Sequence, residues 1–140
     1  DWSSAQAIPV VTSPACSEKQ RQAVELLFIG MNVIPIWTKD HPGLYVIRSI
    51  TMLVNEACEA VLHDISSEQD IDSAMKYGVN YPCGPFEWAD RIGYYTILQI
   101  LENMYQIYGE DRYRTSIYLA KKVVQGHAQK TQQQPLRVAG

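Results

Sequence analysis

The chain has 140 residues, which suits a single domain, and 46% of them are hydrophobic, enough for a substantial core. A net charge of -3 gives no basic surface for nucleic acid, and no apolar run reaches the ~20 residues that a membrane-spanning helix needs. Three cysteines, Cys16, Cys58 and Cys83, lack metal-ligand spacing, and their odd number favours a reducing compartment. We therefore predict a cytoplasmic protein with no nucleic-acid or membrane partner.

The first part of the chain, residues 1–39, is predicted to be a short β-α-β unit. Residues 7–12 form a short apolar run that ends in turn residues, which is typical of a strand. The capping-box pattern at residues 17–20 opens a helix that closes at Gly30, and a second strand covers 32–38. Two parallel strands and one helix make a poor domain alone. We expect this unit to pack on the helices or on a second copy, or to remain partly disordered.

Residues 40–126 are predicted to be a helical bundle, followed by a glutamine-rich tail over 127–140 that we expect to be disordered or to fray. Two of the helices are apolar on nearly all sides, which favours burial against a partner over the ordinary core of a compact bundle. The predicted helices cover residues 43–63, 68–78, 86–92, 94–108 and 115–125.

The stretch Asn80-Tyr-Pro-Cys-Gly-Pro-Phe-Glu-Trp-Ala-Asp90, followed by Gly93, is the most informative part of the sequence. Together with Pro42-Gly43 and Asn55-Glu56-Ala57, it resembles the C-terminal helical domain of the 3-hydroxyacyl-CoA dehydrogenases. The second half of the sequence is most similar to the tandem 3-hydroxyadipyl-CoA or 3-hydroxybutyryl-CoA dehydrogenases of phenylacetate catabolism. Those proteins carry this domain twice, and the chain resembles the second copy. The other matching positions are Thr38, Asp40, Arg48, Asp70-Ile-Asp72, Ala74-Met75, Gly78, Tyr108-Gly109 and Arg112-Tyr113-Arg114.

The resemblance implies a mainly α fold, a helical bundle of the 6-phosphogluconate-dehydrogenase C-terminal type, preceded by the β-α-β remnant of a Rossmann domain. It also implies a parent protein that oxidises a 3-hydroxyacyl-CoA with NAD, and a homodimer contact or a contact with the first repeat of the parent chain. The start at Asp1 fits an excised or trimmed domain. No GxGxxG pattern occurs, so we expect no bound NAD here and acyl-CoA only together with the missing nucleotide-binding domain.

The resemblance predicts no catalytic residue in this chain. In the family, the histidine base and its glutamate lie in the nucleotide-binding domain, and a further asparagine stands in the pattern Pro-Gly-Phe-x-x-Asn-Arg. Here that asparagine position is Ile47, which can neither donate nor accept a hydrogen bond. We therefore expect the chain to be inactive by itself, as part of an enzyme or, alternatively, as a structural module with no substrate role.

Four residues are candidates for contacts with the substrate: Arg48, Tyr81, Pro82 and Cys83. For Arg48 we prefer a structural ion pair with Glu56 or Asp90 to a substrate contact. By residue type, the other three are also interpreted as packing residues that set the angle between helices. Cys83 has no histidine beside it in the sequence, which favours a core or pocket-lining thiol over a nucleophile.

Other active sites find little support in the sequence. The candidate bases His41, His63 and His127 lie at a helix entry, near a helix end and in the tail, without a constellation that would serve a hydrolase. The acidic residues Asp70 and Asp72 are interpreted as solvated carboxylates in a capped first turn and not as metal ligands, because no histidine pair has ligand spacing.

Overall fold

The structure is a computed structural model that describes residues 6–42 and 44–132, with side chains up to residue 126. The chain divides into two compact units with the boundary between Leu44 and Tyr45. We call them the leader unit and the helical unit. The domain boundaries predicted at residues 39 and 126 stay predictions. Of the tail expected over 127–140, residues 127–132 belong to the last helix, and residues 133–140 lie outside the described residues.

The leader unit is the predicted β-α-β piece. Strands β1 (Ala7–Val11) and β2 (Ile34–Thr38) pair in parallel, and helix α1 (Glu18–Gly30) connects them. Helix α1 begins where the sequence predicts, because the Ser17 side chain accepts from the backbone of Gln20 and the Gln20 side chain accepts from the backbone N–H of Ser17. No residue of α1 is buried, so this unit has no closed core of its own.

The helical unit consists of five α-helices and confirms the predicted mainly α fold. Helix α2 is central, since it contacts all four of the others. A single 3-10 turn, Asp111–Tyr113, precedes the last helix. The helices are α2 (Tyr45–Leu62), α3 (Glu68–Gly78), α4 (Pro85–Ile92), α5 (Tyr94–Tyr108) and α6 (Ile117–Gln132).

Glycine and proline set the helix boundaries. Pro85 is the first residue of α4, where its missing N–H costs nothing and its fixed φ suits a helix. Helix α5 lies between Gly93 and Gly109, whose φ angles of 94° and 64° would strain any residue with a side chain. Helix α6 ends at Gln132 and not at Gln125, because its polar end is still built from good helix formers such as Ala, Gln and Lys.

The core lies in the helical unit, around α2. Val54 and Cys58 of α2 pack there with Ile97, Leu101 and Met104 of α5. These side chains are between 0% and 1% exposed, so α2 and α5 both serve as core helices. The rest of the core is Ala57, Phe86, Ala89, Tyr113 and Leu119.

Candidate functional site

The candidate residues Tyr81, Pro82 and Cys83 lie in residues 79–84, which we call the α3–α4 segment. The chain turns at Asn80 with a φ of 58°, and the N–H of Tyr81 donates to the carbonyl of Met75 at 3.1 Å. Tyr81 and Pro82 are exposed, whereas Cys83 is buried. The ring of Tyr81 lies 5.7 Å from that of Trp88 on α4. The segment therefore presents an aromatic surface above a buried thiol.

Glu87 of α4 ties this segment down. Its Oε2 accepts from the backbone N–H of Gly84 at 3.1 Å and from the Cys83 thiol at 3.3 Å. Its Oε1 pairs with the ammonium of Lys76 on α3. The hydrogen bond from Lys76, followed by those from Gly84 and Cys83, lowers the pKa of Glu87 to about 2. The buried Cys83, by contrast, has its pKa raised by desolvation and by this carboxylate, which makes it a poor nucleophile.

Asp72 of α3 is the second anchor of the segment. Its Oδ1 accepts from the backbone N–H of Phe86 at 2.8 Å, and its Oδ2 accepts from that of Glu87 at 3.1 Å. Asp72 is buried, so the interpretation of this residue as a solvated carboxylate was wrong. The Asp72 side chain caps the start of α4 and not the start of α3. The sequence of α3 alone does not predict this contact.

Arg48 lies elsewhere in the unit, near the start of α2. Its guanidinium is 5.1 Å from the ring centroids of both Tyr108 and Tyr113, which are themselves 5.4 Å apart. Among the described residues no ion pair involves Arg48, so the predicted pair with Glu56 or Asp90 was wrong. No recorded contact joins Arg48 to the α3–α4 segment, and the substrate role of all four candidates stays a prediction.

Asn55 of the Asn55-Glu56-Ala57 motif has a structural role, because it is buried in α2. Its amide nitrogen donates to the carbonyl of Arg114 at 2.9 Å, and its carbonyl oxygen accepts from the N–H of Ser116 at 2.8 Å. The side chain therefore satisfies the backbone just before α6 and holds that helix against α2. The sequence shows the Asn-Glu-Ala motif, but the hydrogen-bond partners of the Asn55 side chain lie about sixty residues away in the chain.

A polar network joins α3 to α6 beside the core. Glu68 accepts from the Tyr118 hydroxyl at 2.7 Å and pairs with Lys122 at 2.5 Å. The hydrogen bond to Glu68 is the main reason that the pKa of Tyr118 rises to about 12. Burial, with Glu68 adding to it, raises the pKa of the Cys58 thiol to about 12 as well. Cys58 is thus a core residue without nucleophilic character.

Of the remaining candidates, His127 has a side chain that lies outside the described residues. His63 is exposed and lies 3.6 Å from Glu59 of the preceding helical turn. Within residues 6–42 and 44–132, no group of three histidine, cysteine, aspartate or glutamate side chains is placed to hold a metal ion. None of the helices in these residues is long and apolar enough to cross a membrane.

This arrangement is a helical domain built around α2, in which buried polar side chains tie α4 to α3 and α6 to α2. A family model described as 3-hydroxyacyl-CoA dehydrogenase, C-terminal domain, matches residues 43–137. The chain therefore belongs to the 3-hydroxyacyl-CoA dehydrogenase C-terminal domain family, as its sequence motifs predict.

Two curated relatives support the assignment. The chain is 45% identical over 95 residues to the 3-hydroxyadipyl-CoA dehydrogenase of Escherichia coli K12, covering 68% of this chain and 20% of that protein. It is 33% identical over 121 residues to a probable 3-hydroxybutyryl-CoA dehydrogenase of Deinococcus radiodurans, covering 86% of this chain and 44% of that protein. The chain thus spans less than half of the length of either relative.

Two solved structures share the fold. The (S)-3-hydroxybutyryl-CoA dehydrogenase of Ralstonia eutropha superposes with a TM-score of 0.82 at 30% identity, over 89% of this chain and 44% of that one. The 3-hydroxybutyryl-CoA dehydrogenase of E. coli K12 gives a TM-score of 0.81 at 31% identity, over 89% of this chain and 26% of that one. Both matches extend beyond the helical unit into the leader unit, since they cover more residues than that unit contains.

Proposed function

We propose that this chain is the C-terminal part of an NAD-dependent enzyme that oxidises a 3-hydroxyacyl-CoA to a 3-oxoacyl-CoA. The family match over residues 43–137 carries the proposal. A 3-hydroxyadipyl-CoA substrate is favoured by the name of the relative that is 45% identical. In this proposal the chain is the second helical copy of a tandem protein. The greater length of the E. coli relative supports this, because 95 matched residues are only 20% of it whereas 121 are 44% of the D. radiodurans relative.

The described residues do not fit NAD. A dinucleotide pyrophosphate is bound by a glycine-rich turn between a strand and the following helix. The turn between β1 and α1, residues 12–17, contains no glycine, and the side chain of Ser17 is engaged in its own capping box. The oxidation step is therefore assigned to residues outside this chain, and Ile47 offers no polar side chain to assist it.

Assembly is the first role that we assign to the chain itself. The helical unit keeps a set of apolar side chains on its surface, which is typical of a contact with another chain or domain. On α6, Ile117, Val124 and the small residue Ala120 recur at helical spacing and line a shallow apolar groove. A second copy or the first repeat of the parent chain is proposed to cover this surface. The exposed apolar residues of the unit include Tyr45, Val46, Tyr105, Ile107, Ile117 and Val124.

The second role is a contribution to the surroundings of the acyl chain. The exposed ring of Tyr81 and the half-buried ring of Trp88, with Pro82 beside them, offer an apolar surface to a ligand held between this unit and a nucleotide-binding domain. The opposing candidate, a structural module with no substrate role, is favoured by Ile47 at the family's asparagine position. The two differ in one observable. Bound acyl-CoA protects residues 78–86 of the intact protein in the first case and not in the second.

The assembly role is tested by light scattering of the purified chain. We expect a dimer, and we expect Val124→Glu to convert it to a monomer because the substitution places a charge in the apolar groove. Gln69→Glu, which adds the same charge at an exposed polar position of α3, serves as the control. A monodisperse monomer of the unsubstituted chain would remove the homodimer from the proposal.

The enzymatic proposal is tested by assaying the 140-residue chain with 3-hydroxybutyryl-CoA and NAD. We expect no turnover, because the chain supplies neither a cofactor site nor a catalytic group. We expect activity from the intact parent protein under the same conditions. An inactive parent with a folded nucleotide-binding domain would contradict the dehydrogenase assignment.

A further inference from the structure

We propose that Asp72 is a positioning residue, which fixes the α3–α4 segment and with it the candidate acyl-contacting residues Tyr81, Pro82 and Cys83. Asp72 itself points into the start of α4 and offers no free oxygen to a ligand. The inference rests on the proposed function, because the segment matters for the acyl chain only if the chain belongs to a 3-hydroxyacyl-CoA dehydrogenase.

The first step is that Asp72 takes the place of a missing N-cap side chain. The first N–H groups of a helix have no partner within the helix and need an outside acceptor. The N-cap residue of α4 is Gly84, which has no side chain to supply one. Asp72 satisfies two of these groups, those of Phe86 and Glu87, from a neighbouring helix. The start of α4 is thereby fixed to α3.

The second step is that Gly84 and Asp72 depend on each other. A Cβ at position 84 would lie 2.2 to 2.4 Å from the Cγ, Oδ1 and Cβ of Asp72, closer than real atoms approach. The residues that usually cap helices, such as serine or aspartate, therefore cannot stand at position 84. Glycine there is explained by the space that the Asp72 carboxylate occupies, since its φ of -75° needs no glycine.

The third step is that the other side-chain tie between α3 and α4 is more exposed than Asp72. The Lys76–Glu87 pair also joins α3 to α4, but its side chains are 29% and 37% exposed, so water competes for both charges. Asp72 is only 8% exposed, and hydrogen bonds from buried groups to a charged acceptor are among the stronger ones. Asp72 is therefore the more buried of the two ties between α3 and α4, and its loss should loosen the segment at the end that joins α4.

The three cysteines of the chain allow a direct test. Cys83 is the buried thiol of the α3–α4 segment, whereas Cys58 lies in the core of the same unit and is 0% exposed. A thiol reagent applied to the native chain therefore reports local opening at Cys83 and global unfolding at Cys58. Mass spectrometry of the labelled peptides separates the two rates. The chains compared are the unsubstituted protein, Asp72→Ala, Asp72→Asn and the control Asp70→Asn, which removes the same charge from the exposed Asp70 two residues away.

We expect Asp72→Ala to raise the labelling rate of Cys83 at least about tenfold, because two charge-assisted hydrogen bonds are lost. Asp72→Asn should fall between it and the unsubstituted chain, since the amide keeps one acceptor. Asp70→Asn should stay within about twofold, because an amide oxygen can still accept the Ser67 hydroxyl. Cys58 should remain protected throughout. The proposal is overturned if Cys83 is unaffected in Asp72→Ala, or if Cys58 becomes reactive in step with Cys83 in both Asp72 variants.

A second measurement separates this proposal from the proposed function. In the intact parent protein, 3-hydroxybutyryl-CoA should protect Cys83 from the reagent, and Asp72→Ala should raise the concentration needed for half protection while Asp70→Asn leaves it unchanged. No protection in the unsubstituted protein would refute the acyl-chain role, and the labelling rates of the free chain would still decide whether Asp72 holds the segment. Equal half-protection in Asp72→Ala and the unsubstituted protein would overturn the positioning role.

Discussion

The leader unit and the helical unit use their apolar residues in different ways. Helix α1 carries Leu26, Leu27 and Ile29, which are between 60% and 70% exposed. In helix α5, by contrast, Ile97 and Leu101 are completely buried. Apolar residues therefore contribute to a closed core in one unit and to an open surface in the other. The difference shows that a helical pattern becomes a core only when a partner element is present to cover it.

The sheet explains why the leader unit remains open. Parallel strands are normally covered on both faces and belong to larger sheets, and here two strands pair only with each other. The apolar side chains of Ile34 and Ile36 are more than half exposed for this reason. The leader unit is thus an incomplete layer. The helical unit, by contrast, encloses a core of buried apolar side chains.

The largest expected difference lies in hydrogen exchange. We expect the amides of α1 and of the two strands to exchange at least about a hundredfold faster than those of the buried turns of α2 and α5, because few apolar contacts oppose local opening. Exchange followed by mass spectrometry of peptic peptides measures both units in one sample. Equal protection would break the comparison, since it would mean that the leader unit opens only when the whole chain unfolds.

Within the helical unit, the largest effect is expected from Gly84→Ala. The new Cβ meets the side chain of Asp72, so the carboxylate must leave the start of α4, and we expect a loss of about 3 kcal/mol or more in the free energy of unfolding. Urea denaturation followed by circular dichroism measures it. Gly78→Ala is the matched control, because nothing lies within 4 Å of its Cβ and the loss should be near zero. A tolerant Gly84 would show that the two helices are not locked together.

A smaller effect is expected from Asn55→Ala. The substitution leaves the N–H of Ser116 and the carbonyl of Arg114 without their partner in the protein interior, at a cost of about 2 kcal/mol. Glu56→Ala, at an exposed position of the same helix, should change stability by less than about 0.5 kcal/mol. Both are measured by urea denaturation. Equal effects of the two substitutions would mean that the hydrogen bonds of Asn55 do not hold α6.

The smallest effect concerns pH. The Glu87 carboxyl has a pKa of about 2 in the folded chain against an ordinary 4.5, so its contribution to stability is complete above pH 4.5 and is lost as the pH falls towards 2. Glu87→Gln should remove this part of the acid sensitivity, leaving a shallower loss of stability over that interval. Glu102→Gln, on the exposed face of α5, should follow the unsubstituted chain. Identical pH profiles for Glu87→Gln and the unsubstituted chain would contradict the assignment.

The sequence predicted the elements that are defined by local signals. Helix α5 was predicted with its observed ends because Gly93 and Gly109 mark them, and the capping box at Ser17 located the start of α1. The family assignment was also within reach, because its motifs are spread over most of the chain. The end of α6 was missed, since polar helix formers and a disordered tail have similar composition.

The anchors of the candidate site could not be predicted, because their partners are distant in the sequence. Asp72 has the pattern of a first-turn carboxylate, and only the folded chain brings it to the start of α4. Arg48 has acidic residues within sequence reach, yet two tyrosine rings from the end of α5 and the following turn surround it. Hydrophobic periodicity indicates which face of a helix is apolar. It does not indicate which distant backbone group forms a hydrogen bond with a polar side chain.

The pairing of Tyr81 with Trp88 has a spectroscopic consequence. Of the three tryptophans in the sequence, Trp2 and Trp37 precede residue 45, so Trp88 is the one that belongs to the helical unit. Its ring is 5.7 Å from that of Tyr81, close enough for its emission to respond to movement of that ring. With Trp2 and Trp37 replaced by phenylalanine, fluorescence would report the opening and closing of the α3–α4 segment in real time. The protein thus carries an intrinsic optical reporter beside its candidate ligand surface.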